Sequence, residues 1–170
     1  MSGCPTIATT DFLTGMRRFA SSVCVVTTAD AGGLHGITVT SLASVSVDPP
    51  TLLVCIRHDS PCAAAIRESE TFCVNLLSDG AKGTARLFSG ATGARRQVRF
   101  ARVEWRQGHT GCPILAGSVI AFECRVERTM RVATHNIFFA GVIGVHNGCG
   151  SPLLYSDRAY RRLADGEQER

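Results

Sequence analysis

The order of apolar and polar positions along the chain predicts more strand than helix. Runs rich in β-branched and apolar residues are typical of strands. Such runs cover 23–29, 34–41, 51–56, 71–77, 98–105, 118–130 and 135–147. The turn residues 30–33 separate the first two runs, which predicts a hairpin over 23–41.

Helical spacing of apolar residues appears in three places. The opening helix follows Thr10, its expected N-cap. A second helix is expected over 60–69, where Ser60 is the N-cap and Pro61 the first helical residue. A third and shorter helix is expected over 79–90.

This order of elements lacks the helix after each strand that a doubly wound parallel sheet requires. A mainly β fold with flanking helices fits better, as an antiparallel sheet closed into a barrel. Segment 152–163 is expected to close the fold, with a frayed polar end behind it. The length of 170 residues suits a single domain, predicted to span 1–170.

The composition narrows the class of protein. Hydrophobic residues make up 45% and charged residues 19%, as in globular proteins. No apolar run approaches the roughly 18 residues of a membrane helix, and the first residues lack a secretory signal, so we expect a cytoplasmic protein without a membrane partner.

The eight cysteines show neither C-x-x-C nor zinc-finger spacing. We therefore expect buried thiols and no metal.

Positive charge is concentrated in two arginine-rich stretches, 95–106 and 158–162. A basic stripe is compatible with nucleic acid, with a phosphorylated small molecule or with an ordinary solvated surface. The formal net charge is only +4 and aromatic residues make up 6%, which favours the surface interpretation. We expect no nucleic-acid partner.

Common catalytic motifs are missing from the sequence. There is no Walker loop, no G-x-G-x-x-G after a strand, no H-E-x-x-H and no G-x-S-x-G. The five histidines are scattered and the carboxylates are not paired. Hydrolase chemistry therefore has no visible machinery.

Segment 38–46 carries an unusual number of small hydroxyl side chains. In a continuous strand Thr38, Thr40, Leu42, Ser44 and Ser46 would share one face. Small side chains with hydroxyl groups would let a planar ring such as a flavin lie close to the backbone. A solvent-exposed polar strand face explains the same spacing.

A possible anion site follows a dozen residues later. A helix that begins at Ser60 offers unpaired N–H groups to a phosphate, and Arg57 would add a charge-assisted contact. The alternative is a capped helix without a ligand.

Several blocks together resemble one family. "GITVTSLASVSVDPPTLLVCI", "FCVNLL", "CPILAGSVIAFECRV", "THNIFFAGVIGV" and "PLLYSDRAYRRL" are similar, in this order, to the flavin reductase component of two-component flavin-dependent monooxygenases. The resemblance is strongest to the reductase that serves hydroxyphenylacetate hydroxylase. It covers residues 12–163, which we take as the core of the domain.

The resemblance implies a split β-barrel of the FMN-binding type, an antiparallel Greek-key barrel, usually a homodimer. It implies an NAD(P)H:flavin oxidoreductase that reduces FMN or FAD with NADH or NADPH and supplies reduced flavin to a separate oxygenase. A flavin-binding redox sensor or storage module without turnover is the alternative.

The family also implies a set of site residues. The ring and ribityl chain would contact Thr38, Val39, Thr40, Ser41 and Leu42, with Ser44 and Val45 close by. Further contacts would come from Cys55, Ile56 and Arg57. The phosphate would meet Ser60, Phe88 and Ser89. His135 would lie beside flavin and nicotinamide as the catalytic residue, and Arg158 and Tyr160 near the nicotinamide.

The chain departs from the family pattern at three places. Ala133 stands where many relatives have glycine, and Cys62 where a small alcohol or amide is common. The loop 94–98 lacks acidic residues, which would suit the 2′-phosphate of NADPH. Hydride transfer itself asks the protein mainly to orient two stacked rings, which agrees with the absence of a nucleophile.

Overall fold

The computed structural model describes residues 7–164, and this part of the chain contains four helices and twelve short or long strands. The helices are α1 Thr9–Met16, α2 Pro61–Ser69, α3 Lys82–Phe88 and α4 Arg96–Phe100. The strands are β1 Ser21–Ser22, β2 Cys24–Asp30, β3 Gly33–Val39, β4 Leu42–Val47, β5 Pro50–Arg57, β6 Thr71–Leu77, β7 Trp105–Gln107, β8 Pro113–Leu115, β9 Ser118–Val132, β10 His135–Asn147, β11 Leu154–Ser156 and β12 Ala159–Arg161.

Seven strands form one sheet in the order β3-β2-β6-β9-β10-β5-β4, and every pairing in it is antiparallel. The two edge strands are consecutive in the chain and are linked by Thr40 and Ser41. Inward side chains from six of these strands belong to one buried apolar cluster, among them Val26, Val54 and Phe138, and Leu42 of β4 packs against it. The sheet therefore curls into a barrel that is split between β3 and β4, which confirms the predicted fold class.

Helix α2 closes the barrel interior. Its residues Cys62, Ala63 and Ile66 join the same apolar cluster. The helix begins as predicted, since Ser60 Oγ accepts a hydrogen bond from the Cys62 N–H at 3.2 Å and Pro61 is the first helical residue. The cap fixes where the helix starts, and that start later forms one wall of the site.

A second apolar cluster lies on the outer face of the sheet, under α3 and α4. Phe88 of α3 and Phe100 of α4 meet edge to face, with ring centroids 5.1 Å apart. Gly36 of β3 makes this approach possible, because a Cβ there would lie 2.6 Å from Phe88 Cε1. The absence of a side chain at one strand position thus sets the distance of α3 from β3.

The predicted strand over 98–105 is wrong. Residues Arg96–Phe100 form α4, and strand structure begins only at Trp105. Val98 and Phe100 alternate with arginines as in a strand, but Phe100 is buried against Phe88 and Gly36. Tertiary packing of one aromatic ring overrides the local alternation.

Two further predictions, the N-cap of the first helix and a continuous strand over 38–46, are also wrong. Helix α1 has Ala8 at its N-cap position, without a side-chain cap, and Thr10 lies inside the helix. Segment 38–46 is not one continuous strand, because β3 ends at Val39 and β4 begins at Leu42. The hydroxyl side chains before and after this break therefore do not share one face.

No helix among residues 7–164 has both the length and the apolar character to cross a bilayer.

Candidate functional site

Three cavities adjoin along β3 and the link that follows it, and together they form one cleft. The first, the α2 cavity, has about 360 Å³ and lies between β3, the start of α2 and the end of α3. The β3 cavity has about 350 Å³ and the α1 cavity about 300 Å³. Ser89 lines the first two, whereas Thr40, Tyr155 and Arg158 line both the second and the third. One elongated ligand could therefore occupy several of them.

The α2 cavity has the chemistry of an anion site. The first turn of α2 opens into it with Ser60, Pro61 and Cys62. Arg57 stands at its mouth and donates to the Asp59 carboxylate, from Nε at 3.0 Å and from Nη2 at 2.7 Å. The helix dipole and the guanidinium both favour a negative ligand.

The ion pair at this mouth also sets two pKa values. The hydrogen bond between the two side chains raises the pKa of Arg57 and lowers the pKa of Asp59. Both groups therefore stay charged at neutral pH, and Asp59 holds the guanidinium in a fixed orientation.

The β3 cavity has aromatic and aliphatic walls with a few polar groups. Tyr155 and Tyr160 pack edge to face at 5.3 Å between ring centroids, and Lys82 Nζ lies 5.8 Å from the Tyr160 ring. Burial raises the pKa of Tyr160. The opposite wall is the end of β3, where Val39 is buried and Thr40 is exposed. A slot of this kind suits a flat ring.

Thr38 of β3 and Thr40 of the β3–β4 link differ in the surroundings of their hydroxyl groups. Thr38 Oγ1 donates to the carbonyl of Ala85 at 2.7 Å and so fastens α3 to β3. The exposed hydroxyl of Thr40 lies in the β3 cavity. Thr38 therefore already has a structural hydrogen bond, whereas the exposed Thr40 is left as the threonine available in the lining of the β3 cavity.

Nine of the predicted site residues line this cleft. Those of the β3 cavity are Thr38, Val39, Thr40, Ser89, Arg158 and Tyr160, and those of the α2 cavity are Arg57, Ser60, Phe88 and Ser89. The lining of the three cavities does not include Ser41, Leu42, Ser44, Val45, Cys55, Ile56 or His135. Their contact with a ligand stays a prediction.

The predicted residues outside the cleft lie in the β3–β4 link, on β4, on β5 and at the start of β10. Ser44 and Val45 are exposed on the edge strand, and Ile56 points into the barrel, where it is buried. Ser41 links the strands, since its hydroxyl donates to the carbonyl of Cys55 at 2.7 Å and its own carbonyl accepts from the Cys55 N–H. These bonds hold the β3–β4 link against β5.

His135 lies at the first position of β10, exposed, and pairs in register with Arg57. Its Nδ1 and the Thr134 hydroxyl are 2.9 Å apart. Ala133 before it has φ 48°, the left-handed conformation that the glycine of many relatives suits. Ala133 thus adopts a backbone conformation that favours glycine, and the pairing with Arg57 brings His135 next to the mouth of the α2 cavity.

The sequence pattern missed several residues of the cleft. His35, Gly36 and Arg99 line the α2 cavity, and Arg17 and Asp157 line the α1 cavity. A pattern along one strand could not find them, because they come from four elements or turns that meet only in the fold. The closeness of Gly36 to Phe88 is likewise a tertiary feature.

A second polar cluster, the Glu123 cluster, consists of Glu123, Thr110, His146 and Arg106. Glu123 is 1% exposed, and its Oε2 accepts from the N–H of Thr110 at 2.8 Å and from its hydroxyl at 2.6 Å. His146 Nε2 lies 2.6 Å from Oε1, while Arg106 Nη2 lies 2.9 Å from His146 Nδ1. Because arginine can only donate, Nδ1 is the acceptor and Nε2–H donates to Glu123.

These bonds determine the ionisation of Glu123. Burial raises its pKa, but the hydrogen bonds from Thr110 and His146 outweigh burial and lower the pKa to about 2. No room is left around the carboxylate, since a Cβ at Gly108 would lie 2.5 Å from Oε2. Every strong acceptor in this cluster is used internally, which is typical of a structural role.

A family model described as "Flavin reductase like domain" matches residues 16–164. The chain belongs to this family. The family predicted from the sequence blocks is thereby confirmed, and all residues that line the cleft except Leu13 lie within the matched range.

Named relatives agree with this assignment. An FMN reductase (NADH) from Ancylobacter novellus is 38% identical over 161 residues, which cover 94% of this chain and 88% of that protein. A solved NADH:FAD oxidoreductase from Streptomyces globisporus, in complex with NAD and FAD fragments, has a TM-score of 0.86 at 28% identity, with 97% of this chain and 100% of that chain covered. The flavin reductase component of a bacterial two-component tryptophan halogenase has a TM-score of 0.85 at 28% identity, covering 94% and 100%.

Proposed function

We propose that this chain is an NAD(P)H-dependent flavin reductase that reduces FMN or FAD by hydride transfer and supplies the reduced flavin to a separate oxygenase. The observation that carries the proposal is the continuous cleft, in which an anion site at α2 adjoins a cavity beside β3 that is walled by Tyr155, Tyr160 and Val39. A flavin mononucleotide has the same two parts, a phosphate and a planar ring. Of the relatives named above, one is an FMN reductase (NADH) and another is the flavin reductase component of a two-component halogenase, which supports the proposal.

The flavin is proposed to lie with its phosphate in the α2 cavity and its ring in the β3 cavity. Ser60 and the N–H groups of the first turn of α2 bind the phosphate, with Arg57 as its charged partner and Ser89 between the two cavities. The ring lies against Val39 and Thr40. The remaining predicted contacts are made through the backbone or at the cleft margin, by Ser41, Leu42, Ser44, Val45, Cys55 and Ile56.

When bound, the flavin supplies the chemistry by accepting a hydride from the nicotinamide. The chain contributes orientation and exclusion of water, because two stacked rings must hold their reacting atoms about 3–3.5 Å apart. Tyr155 and Tyr160 form the wall that limits the poses of the nicotinamide, and Arg158 gives it an electrostatic anchor. His135, next to Arg57, is proposed to stabilise negative charge at the polar edge of the ligand.

The direct test is NADH and NADPH oxidation with added FMN, FAD or riboflavin, in wild type and in Thr40→Trp. The indole would fill the β3 cavity, and we expect kcat/KM for FMN to fall by about 30-fold or more, since small displacements of reacting rings cost rates of that order. Thr129→Trp is the matched control, because Thr129 is exposed on β9 away from the cleft. A Thr40→Trp enzyme with wild-type kinetics and FMN affinity would remove the proposed ring position.

The alternative of a redox sensor or storage module finds no support in the thiols. Five of the seven described cysteines are buried, and burial raises the pKa of Cys24 and Cys62 to about 12. Thiols in such surroundings stay protonated and react slowly. Rapid multiple turnover in the same oxidation assay would separate the reductase from a module that only binds flavin.

The proposal extends to assembly, domain extent and location. A homodimer would cover apolar side chains that are exposed in the single chain, among them Val47, Ile143 and Val145. The proposal also includes one flavin reductase-like domain over 1–170 and a cytoplasmic location, where NADH is available. Light scattering of wild type and Ile143→Asp tests the dimer, and a monomeric wild type would remove it.

A further inference from the structure

The α1 cavity continues the cleft beyond the proposed nicotinamide position. It lies between α1 and the turn that joins β11 to β12. The two walls are connected, because the Asp157 N–H donates to the carbonyl of Arg17 at 2.9 Å, just after α1. Asp157 and Arg158 have φ of 47° and 59°, so the turn is tight and places both residues at the cavity.

Three kinds of group line this cavity. Leu13 and Met16 form an apolar wall although they are 49% and 46% exposed, and Phe19 continues it at 63%. Arg17 and Arg158 are cationic, and neither is ion-paired with a carboxylate among residues 7–164. Asp157 adds one carboxylate, also without an ion pair in that part of the chain.

These groups match the parts of an adenosine diphosphate. An apolar wall suits the face of a purine, and arginines suit a diphosphate. A carboxylate suits the 2′- and 3′-hydroxyl groups of a ribose, which donate hydrogen bonds to it. Arg158 lines both the β3 and the α1 cavity, at the point where a dinucleotide would pass from one into the other.

We propose that the α1 cavity binds the adenosine half of NADH and that Asp157 selects NADH over NADPH. This rests on the proposed function, since it extends a nicotinamide in the β3 cavity through Arg158 to the purine at α1. The extra 2′-phosphate of NADPH would meet the Asp157 carboxylate, which would repel the phosphate and lose the hydrogen bond from the 2′-hydroxyl group. Arg95, in the stretch that the sequence associated with NADPH, is not part of this lining.

The first experiment measures binding without any redox reaction. Titration calorimetry compares ADP-ribose with 2′-phospho-ADP-ribose on wild type, Asp157→Asn and Asp11→Asn. We expect wild type to bind ADP-ribose at least tenfold more tightly than its 2′-phosphate, and Asp157→Asn to reduce that ratio at least fivefold. Asparagine tolerates the left-handed backbone, so the turn is retained. Asp11 lies on α1 outside the cavity lining, so its variant should keep the wild-type ratio.

A wild type that binds neither compound, or binds both equally, would overturn the inference. An unchanged ratio in Asp157→Asn would overturn the role of that residue. Because ADP-ribose cannot donate a hydride, these outcomes do not depend on flavin reduction.

The second experiment separates the two halves of the donor. Leu13→Glu places a charge on the apolar wall, and the residue is exposed enough for the fold to tolerate it. We expect kcat/KM for NADH to fall at least tenfold, while kcat/KM for reduced nicotinamide mononucleotide, which lacks adenosine, stays within twofold. Equal losses for both donors would contradict an adenosine site. Absence of flavin reduction with either donor in wild type would refute the proposed function instead, and the binding data would still decide this inference.

Discussion

The Glu123 cluster and the cleft along β3 are both rich in polar and charged groups, but they use them differently. β9, which carries Glu123, is the middle strand of the seven, so it lies across the barrel from the split between β3 and β4. In the cluster each carboxylate oxygen is bonded to a neighbour of the same chain. In the cleft, Thr40 and Arg158 are exposed and face cavities.

This difference distinguishes structural polar groups from ligand-binding ones better than the residue type does. A buried polar group must find partners within the protein, because leaving it unpaired costs about 1–3 kcal/mol. A group at a ligand site can remain solvated until the ligand replaces the water. A histidine–carboxylate pair, often associated with catalysis, is thus structural here, whereas a plain threonine is the better site candidate.

The largest expected effect comes from removing the centre of the cluster. Glu123→Ala leaves Thr110 and His146 without their acceptor, and we expect the free energy of unfolding to fall by about 3 kcal/mol. Urea denaturation at neutral pH measures it. Glu127→Ala on the same strand is the control, since Glu127 is exposed and its loss should change stability by less than about 0.5 kcal/mol. Equal stabilities of the two variants would contradict a structural cluster.

Acid should break the same cluster in the wild type. The folded-state pKa of Glu123, about 2, lies below its ordinary value of 4.5, so the unfolded chain binds the proton more readily. Its contribution is therefore complete above about pH 4.5 and is lost as the pH falls towards 2. Between pH 5 and pH 3 we expect wild type to lose about 2 kcal/mol more than Glu123→Gln, as measured by urea unfolding. Parallel losses would show that other carboxylates dominate.

A smaller effect is expected in the cleft, on affinity and not on stability. Arg57→Gln removes the exposed cation at the mouth of the α2 cavity, and we expect FMN to bind about fivefold more weakly. Riboflavin, which has no phosphate, should bind as before. Asp59→Asn sharpens the test, because it removes the negative charge that pairs with Arg57 and should strengthen FMN binding. Fluorescence titration measures all three, and equal changes for FMN and riboflavin would place the phosphate elsewhere.

The smallest effect concerns Cys55, a partly buried thiol on β5 whose pKa is raised by burial. If the flavin covers this strand end as predicted, FMN should slow the alkylation of Cys55 a few-fold. Cys149 is exposed and serves as the internal control, because its rate should not change. Peptide mass spectrometry follows both thiols, and equal rates for Cys55 with and without FMN would remove it from the site.

Much of the fold was predictable because local signals and burial agree in most elements. Ser60 and Pro61 mark the start of α2, and the apolar runs of β2, β5 and β6 are strands whose residues fill the barrel. The segment around Val98 was not predictable in this way. Its alternation is that of a strand, but Phe100 packs beside Phe88 and against Gly36 of β3, which is distant in sequence.

The candidate site was predictable in part for a related reason. Thr38, Val39 and Thr40 lie close together in sequence, so a motif could indicate them. The break after Val39 could not be read from the same motif, because it depends on the bonds between Ser41 and Cys55 across two strands. Asp157 and Arg17 come from opposite ends of the chain and meet only through the turn at β11 and β12.

The position of the cleft has a consequence for exchange of the cofactor. The barrel interior is filled by side chains such as Phe72 and Phe138, whereas the three cavities are lined in part by exposed residues such as Thr40, Arg57 and Arg158. A molecule held there can come and go without any loosening of the hydrophobic core. The residence time of such a molecule is set by its contacts with the cleft. A cofactor that binds and dissociates in every catalytic cycle therefore needs no opening of the fold.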